Sequence, residues 1–137
     1  MSLVLALDFG GTKLSAAVLE RGAQRWRGLE RIASRPGATA EDDLAGMSAL
    51  AERLLGLERP AAIGVSFGGP VQAAQGRVRL SDHVPGWEDV ALAAWLKERF
   101  GASARVDNDA NAAALGEHRY GAGRGCDSLL YVTVSTG

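Results

Sequence analysis

Four short stretches of this sequence combine a flexible backbone with side chains that can hold charge or take up a proton. The first is Asp8-Phe9-Gly10-Gly11-Thr12-Lys13. Paired glycines let main-chain N–H groups approach phosphate oxygens closely, and Thr12 and Lys13 add a hydroxyl and an ammonium. Asp8 can hold Mg²⁺ through water, since that ion keeps several waters beside one or two carboxylates. The same letters also suit a tight hairpin turn, for which Gly-Gly is a favoured pair. The stretch is not a Walker A loop, because its Lys follows its Thr.

The second stretch, Ser66-Phe67-Gly68-Gly69-Pro70, is either a backbone wall for a polar ligand or an ordinary exit from a strand. The third is Asp107-Asn108-Asp109-Ala110-Asn111. Asp109 is placed to accept a proton from a bound hydroxyl, and Asn108 and Asn111 offer donors and acceptors to sugar hydroxyls. Asp and Asn also cap helices, which accounts for the same letters without a ligand. The fourth, Ser135-Thr136-Gly137, is a second possible phosphate loop at the end of the chain.

The remaining polar candidates are weaker. His83 and His118 have no metal-ligand spacing with each other or with the single cysteine, Cys126. Gly121-Ala122-Gly123-Arg124-Gly125 imitates a dinucleotide fingerprint, but it follows a helix pattern and Cys126 stands at the third glycine position.

The chain has 137 residues, enough for one domain with a real core. A hydrophobic share of 47% and a charged share of 23% are globular values and exclude a disordered tail. Fifteen basic against sixteen acidic residues leave a net charge of −1, which gives no footprint for nucleic acid or an anionic membrane. The apolar start ends at Asp8, too short for a signal sequence or a membrane span, and a lone cysteine suits a reducing compartment. A cytoplasmic location is expected.

The elements that must position these stretches follow from periodicity. Apolar runs predict strands over Leu3–Leu7, Lys13–Leu19 and Gln24–Ile32, the last anchored by Trp26. Thr39 predicts a helix cap with Asp42 completing a capping box. Leu44, Met47, Ala51, Leu54 and Leu55 share one face of that helix, and Gly56 stops it. Ala61–Val65 reads as a strand and Val71–Leu80 as a hairpin turning at Gln75-Gly76. Asp89 is expected to cap a helix over Val90–Phe100. A strand over Ala104–Val106 leads into an Ala-rich helix ending near Tyr120, and Leu129–Val134 reads as a final strand. Trp87 and Trp95, like Trp26, read as core or half-buried anchors. The order is α/β. In such folds ligands gather beyond the carboxyl ends of strands, where three of the four stretches fall, with the first in the turn after strand one.

Taken together, these residues resemble the ROK family of bacterial sugar kinases and sugar-responsive repressors, within the hexokinase–actin–Hsp70 superfamily. Asp8–Lys13 resembles that superfamily's first phosphate loop. Phe67-Gly68-Gly69-Pro70-Val71 is similar to the family's Gly-x-Pro-Gly-Pro-Val segment, and His83-Val84-Pro85-Gly86-Trp87 to its Asn-Leu-Pro-Gly-Trp segment. Asp107–Glu117 matches its Glu-Asn-Asp-Ala-Asn-Ala-Ala-Ala-x-Gly-Glu stretch almost letter for letter. The departures are His83 for Asn, Asp107 for Glu and Ser135 for a glycine.

The resemblance implies an α/β, ribonuclease H-like (actin-like ATPase) lobe, a mixed five-stranded sheet with helices on both faces. It implies that residues 1–137 are the N-terminal lobe of a longer, often dimeric enzyme that transfers the γ-phosphate of ATP to a hexose hydroxyl, usually the 6-hydroxyl. The chain alone is then expected to be inactive or nearly so. Asp109 would be the general base. Asn108 and His83 would contact the sugar, with Gly68 and Gly69 walling its pocket. Gly10, Gly11, Thr12, Lys13, Thr136 and Gly137 would hold ATP phosphates, and Asp8 would serve Mg²⁺. The alternative is a sugar-sensing regulator without kinase activity. An unrelated ATPase of the actin or chaperone class is disfavoured by the intact Asp107–Glu117 stretch.

Overall fold

The computed structural model describes residues 2–134. Its centre is β1 (Leu3–Phe9), in which every second residue is buried, starting with Leu3. That alternation is the pleat of a strand covered closely on one face. β2 (Lys13–Glu20) returns antiparallel, pairing Phe9 with Leu14 at the turn and Leu3 with Glu20 at the far end. β3 (Gly28–Ala33) adds to β2 as an edge strand. β4 (Pro60–Phe67) and β7 (Ala104–Asn108) continue the sheet parallel to β1 on its other side, in the order β3-β2-β1-β4-β7. Between β4 and β7 lies a small ribbon, β5 (Val71–Gln72) and β6 (Arg77–Val78).

The three helices divide between the two faces. α1 (Ala40–Leu55) and α2 (Leu92–Phe100) cover one face, where Leu5, Leu7, Leu14, Val18, Ile63 and Val65 meet Met47, Leu50, Ala51, Leu92 and Leu96 in one core. α3 (Asp109–Tyr120) lies across the other face and leaves a wide trough over Ala6, Ala17 and Gly64. The expected mixed five-stranded sheet with helices on both faces is therefore present. No helix among the described residues is long and apolar enough to cross a membrane.

α1 begins as its letters require. The Thr39 side chain accepts from the Asp42 N–H, and the Asp42 carboxylate accepts from the Thr39 N–H at 2.9 Å. Gly56, with a φ of 59°, ends it. α2 starts later than expected, at Leu92, and its first turn has no side-chain cap. Asp89 does not cap it. It sits at a φ of 54°, and its carboxylate accepts from Arg77 Nε at 2.9 Å, so the ion pair to β6 takes the side chain away from the helix.

Two further expectations fail. β3 starts at Gly28, not Gln24, and Trp26 precedes it at 54% exposure, so it anchors nothing in this core. Trp87 is the fully buried tryptophan and Trp95 is half-buried. Leu129–Val134 is not a strand: it is irregular, with Leu130 at 86% and Val134 at 93% exposure. Apolar alternation favours a strand only where a partner edge is available, and neither edge of this sheet takes it up. The core argument makes a direct prediction. Leu50 is 1% exposed under the sheet, so Leu50→Ala should lower unfolding stability by about 2–5 kcal/mol in urea titration.

Candidate active site

The first two glycine loops lie side by side because β1 and β4 are paired in register to their last residues, and three aromatic rings pack together there. Phe9 closes β1 and Phe67 closes β4. Trp87, from the loop before α2, packs edge-on against both, with ring centroids 5.4 and 4.8 Å away. The loops that follow are then forced into contact. Gly68 N–H donates to the Phe9 carbonyl at 2.8 Å, and a Cβ at Gly68 would lie 3.3 Å from that oxygen. A Cβ at Gly69 would lie 2.8 Å from the Leu80 carbonyl oxygen, and one at Gly11 2.9 Å from the His83 ring. Glycine at 69 is thus a packing requirement against backbone, a side chain at 68 would press on the Phe9 carbonyl, one at 11 would displace the His83 ring, and residues 10–12, 68–70 and 81–87 form one continuous wall.

Within the first loop the roles separate. Gly10 N–H donates to the Lys13 carbonyl at 2.9 Å and so closes a tight turn, the hairpin that the letters also suited. No acceptor among the described residues takes the N–H groups of Gly11 or Thr12. Those two donors, beside the exposed Thr12 and Lys13 side chains, are the ones able to meet an anion. The turn and the anion cradle are one structure.

A row of polar side chains crosses the sheet one position back from these loops. Pairing places Arg31, Ser15, Asp8, Ser66 and Asp107 side by side on β3, β2, β1, β4 and β7. Arg31 Nε donates to Ser15 Oγ at 3.0 Å. Asp8, in the middle, has its carboxyl pushed above the usual aspartate range. Burial is the main cause; a hydrogen bond from Ser66 opposes it, the nearby negative charge of Asp109 adds to it, and Arg31 offsets it weakly. Neither Ser15 nor Arg31 belongs to a motif, so the sequence alone gave no reason to select them.

Asp109 is the first residue of α3 and is exposed at the mouth of this row. One of its oxygens accepts the Ala110 N–H at 2.8 Å. Asn108 is the helix cap: its Oδ1 accepts from Ala110 N–H at 3.0 Å while its Nδ2 donates to the Gly69 carbonyl at 3.0 Å. It ties α3 to the second glycine loop. Asp107 accepts from the Asn108 N–H and from Asn111 Nδ2, at 2.8 and 3.0 Å, so the Asn111 amide is turned inward to its own helix start. Capping and site geometry coexist here, with Asp109 the acid left facing outward. Thr136 and Gly137 lie outside the described residues.

Proteins of known sequence and structure share this fold. The sequence model of the ROK family matches residues 4–137. The glucokinase of Thermotoga maritima is 31% identical over 138 residues, covering 98% of this chain and 42% of that protein. The crystal structure of a ROK family glucokinase from Streptomyces griseus, in complex with glucose and AMPPNP, superposes with a TM-score of 0.78 at 31% identity, over 90% of this chain and 38% of that one. A putative xylose repressor from a Caldicellulosiruptor species is 40% identical over 75 residues, 55% of this chain and 18% of that protein. The chain thus spans well under half the length of these relatives.

The electrostatics of Asp8 predict a trade between site and stability. Its folded-state pKa is raised, so the ionised form destabilises the fold at neutral pH, and the penalty vanishes below about pH 4, where the carboxyl is protonated folded or unfolded. Asp8→Asn should therefore raise the melting temperature at pH 7 and lose that advantage in acid, as read by calorimetry across pH.

Proposed function

This chain belongs to the ROK family, and on that premise we propose that it is the N-terminal lobe of an ATP-dependent sugar kinase. The enzyme moves the γ-phosphate of ATP to a hexose hydroxyl, the 6-hydroxyl of glucose or a related sugar. The observation that carries the reading is the placement of Asp109, an exposed carboxylate at the start of α3, close enough to Asp8 to shift it and next to the wall of glycine loops. The S. griseus structure, with glucose and AMPPNP together, supports the choice of substrates.

On this reading the residues divide the work of an in-line transfer. Phosphoryl transfer is mainly a matter of positioning and charge stabilisation. The Gly11 and Thr12 N–H groups and the Lys13 ammonium hold phosphate oxygens, joined by Thr136 and Gly137. Gly68 and Gly69 wall the sugar pocket, with His83 and Asn108 at its border. Asp109 takes the proton of the attacking hydroxyl as its oxygen bonds to the γ-phosphorus and the bond to the ADP oxygen breaks.

The residues also suit Mg²⁺. Asp8 is one partly buried carboxylate with excess negative charge beside it, which a cation would relieve. The described residues hold no cluster of three or more ligating side chains, as fits an ion that keeps most of its waters. When bound there, Mg²⁺ would neutralise charge on the phosphates. Cys126 is exposed and unpaired, as suits a protein working in the cytoplasm, and a homodimer of the full-length protein belongs to the same reading.

A second reading has one observation behind it, the match to the xylose repressor over 75 residues. One assay separates the two. With ATP, Mg²⁺ and a panel of hexoses, the full-length protein should turn over, and Asp109→Asn should lower kcat by about 10²–10⁴-fold while sugar binding and melting temperature persist. Full turnover in Asp109→Asn would refute the base assignment. Sugar binding without phosphorylation in the unmodified protein would make it a regulator.

A further inference from the structure

His83 makes a contact that a place beside the sugar does not explain. Its side chain runs along Gly11: a Cβ there would lie 2.9 Å from the histidine's Cδ2, 3.2 Å from its Cγ and 3.5 Å from its Cβ. One edge of the imidazole therefore rests on the Gly10–Thr12 turn. Nε2 is bonded to Cδ2, so a ring nitrogen sits next to the contact. The ring is exposed, and neither of its nitrogens has a hydrogen-bond partner among the described residues; the His83 hydrogen bond is made by its main chain.

The backbone under the ring is set by the fold. The Ser81 hydroxyl accepts from the N–H groups of His83 and Val84, at 3.3 and 3.1 Å. Further along, the Pro85 carbonyl accepts from Ala40 N–H at 2.9 Å, and Gly86, at a φ of 94°, lies so close that a Cβ there would be 3.3 Å from the Ala40 methyl. Trp87 then packs edge-on against Phe9 and Phe67. The loop is held on both sides of His83.

The free polar groups at the turn can all donate. The Gly11 and Thr12 N–H groups have no acceptor among the described residues, and the Thr12 hydroxyl and Lys13 ammonium are exposed beside them. A sugar hydroxyl donates and accepts, whereas an ionised phosphate oxygen only accepts, so a set of donors suits the phosphate. An imidazole carries an N–H whether or not it is charged, and the ring adds a donor to donors.

We propose that His83 is a phosphate-binding residue: its Nε2–H joins the Gly11 and Thr12 N–H groups in holding the terminal phosphate of the nucleotide. The inference rests on the kinase reading and deepens it. It moves His83 from the border of the sugar pocket to the nucleotide side of the wall. Removing the ring's donor then weakens the nucleotide and spares the sugar.

The test uses the full-length protein with His83→Phe and His83→Gln. Phe keeps a flat ring against Gly11 and removes the N–H, while Gln keeps an amide N–H at similar reach. Calorimetry reads three dissociation constants: for AMPPNP with Mg²⁺, for ADP with Mg²⁺, and for the hexose the protein binds, each ligand alone. His83→Phe should raise the Kd for AMPPNP about tenfold, on the scale of one hydrogen bond to a charged group. The Kd values for ADP, which lacks the terminal phosphate, and for the hexose should stay within about twofold on the same grounds. His83→Gln should hold all three within about threefold, since its donor remains. A merely structural role would weaken ADP and AMPPNP alike, and a sugar contact would weaken the hexose instead. Either result, or an unchanged Kd for AMPPNP in His83→Phe, overturns the proposal. If the unmodified protein binds AMPPNP and a hexose but transfers no phosphate, the kinase reading fails by itself and the three constants still decide the role of His83. If it binds no AMPPNP, both fail.

Discussion

The pairing of β1 with β4 up to Phe9 and Phe67, against which Trp87 packs, is the constraint on which the candidate site depends. Each phenylalanine is the last residue of a parallel strand, and each is followed by a glycine loop. Strand pairing in register sets the two loops side by side, and the indole packs against both closing rings. Edge-to-face aromatic pairs contribute about 0.5–1.5 kcal/mol each beyond the burial of their area. Their geometry matters as much as their energy, because the packed ends leave no room for a Cβ at position 69, which would meet the Leu80 carbonyl at 2.8 Å. Core packing and loop shape therefore meet at one side chain.

Charge follows from the sheet itself. Parallel strands bring Asp8, Ser66 and Asp107 level with one another, and the antiparallel hairpin adds Ser15 and Arg31. Negative charge predominates near Asp8, which Asp109 reinforces from the start of α3. That concentration disfavours the fold and favours a bound cation, a common arrangement where function and stability pull in opposite directions. The Gly11 and Thr12 N–H groups stand next to it as donors for anionic oxygens. A phosphate–metal pair meets both preferences at once.

Contiguous signals were legible in the sequence. The capping box at Thr39, the turn at Gly10-Gly11 and the helix opening at Asp109 are present in the structure because each depends on neighbours within a few residues. Signals that depend on pairing were not legible. Ser15 and Arg31 join Asp8 only through the register of three strands, which no local pattern fixes. Leu129–Val134 has a strand's letters and no strand's partner, and Asp89 was drawn from helix capping by an arginine on β6. In each case a contact distant in sequence outweighed a local preference.

On the proposed reading, Asp109 faces the acceptor hydroxyl of a bound sugar, with the phosphates held at the Gly10–Thr12 turn. A crystal structure of the full-length protein with a hexose and a non-hydrolysable ATP analogue tests it most directly. The account predicts an Asp109 oxygen about 2.6–3.2 Å from one sugar hydroxyl, with the terminal phosphate beside Gly11 and Thr12. A sugar bound elsewhere, or an Asp109 carboxylate turned back onto its own helix in that complex, would contradict it.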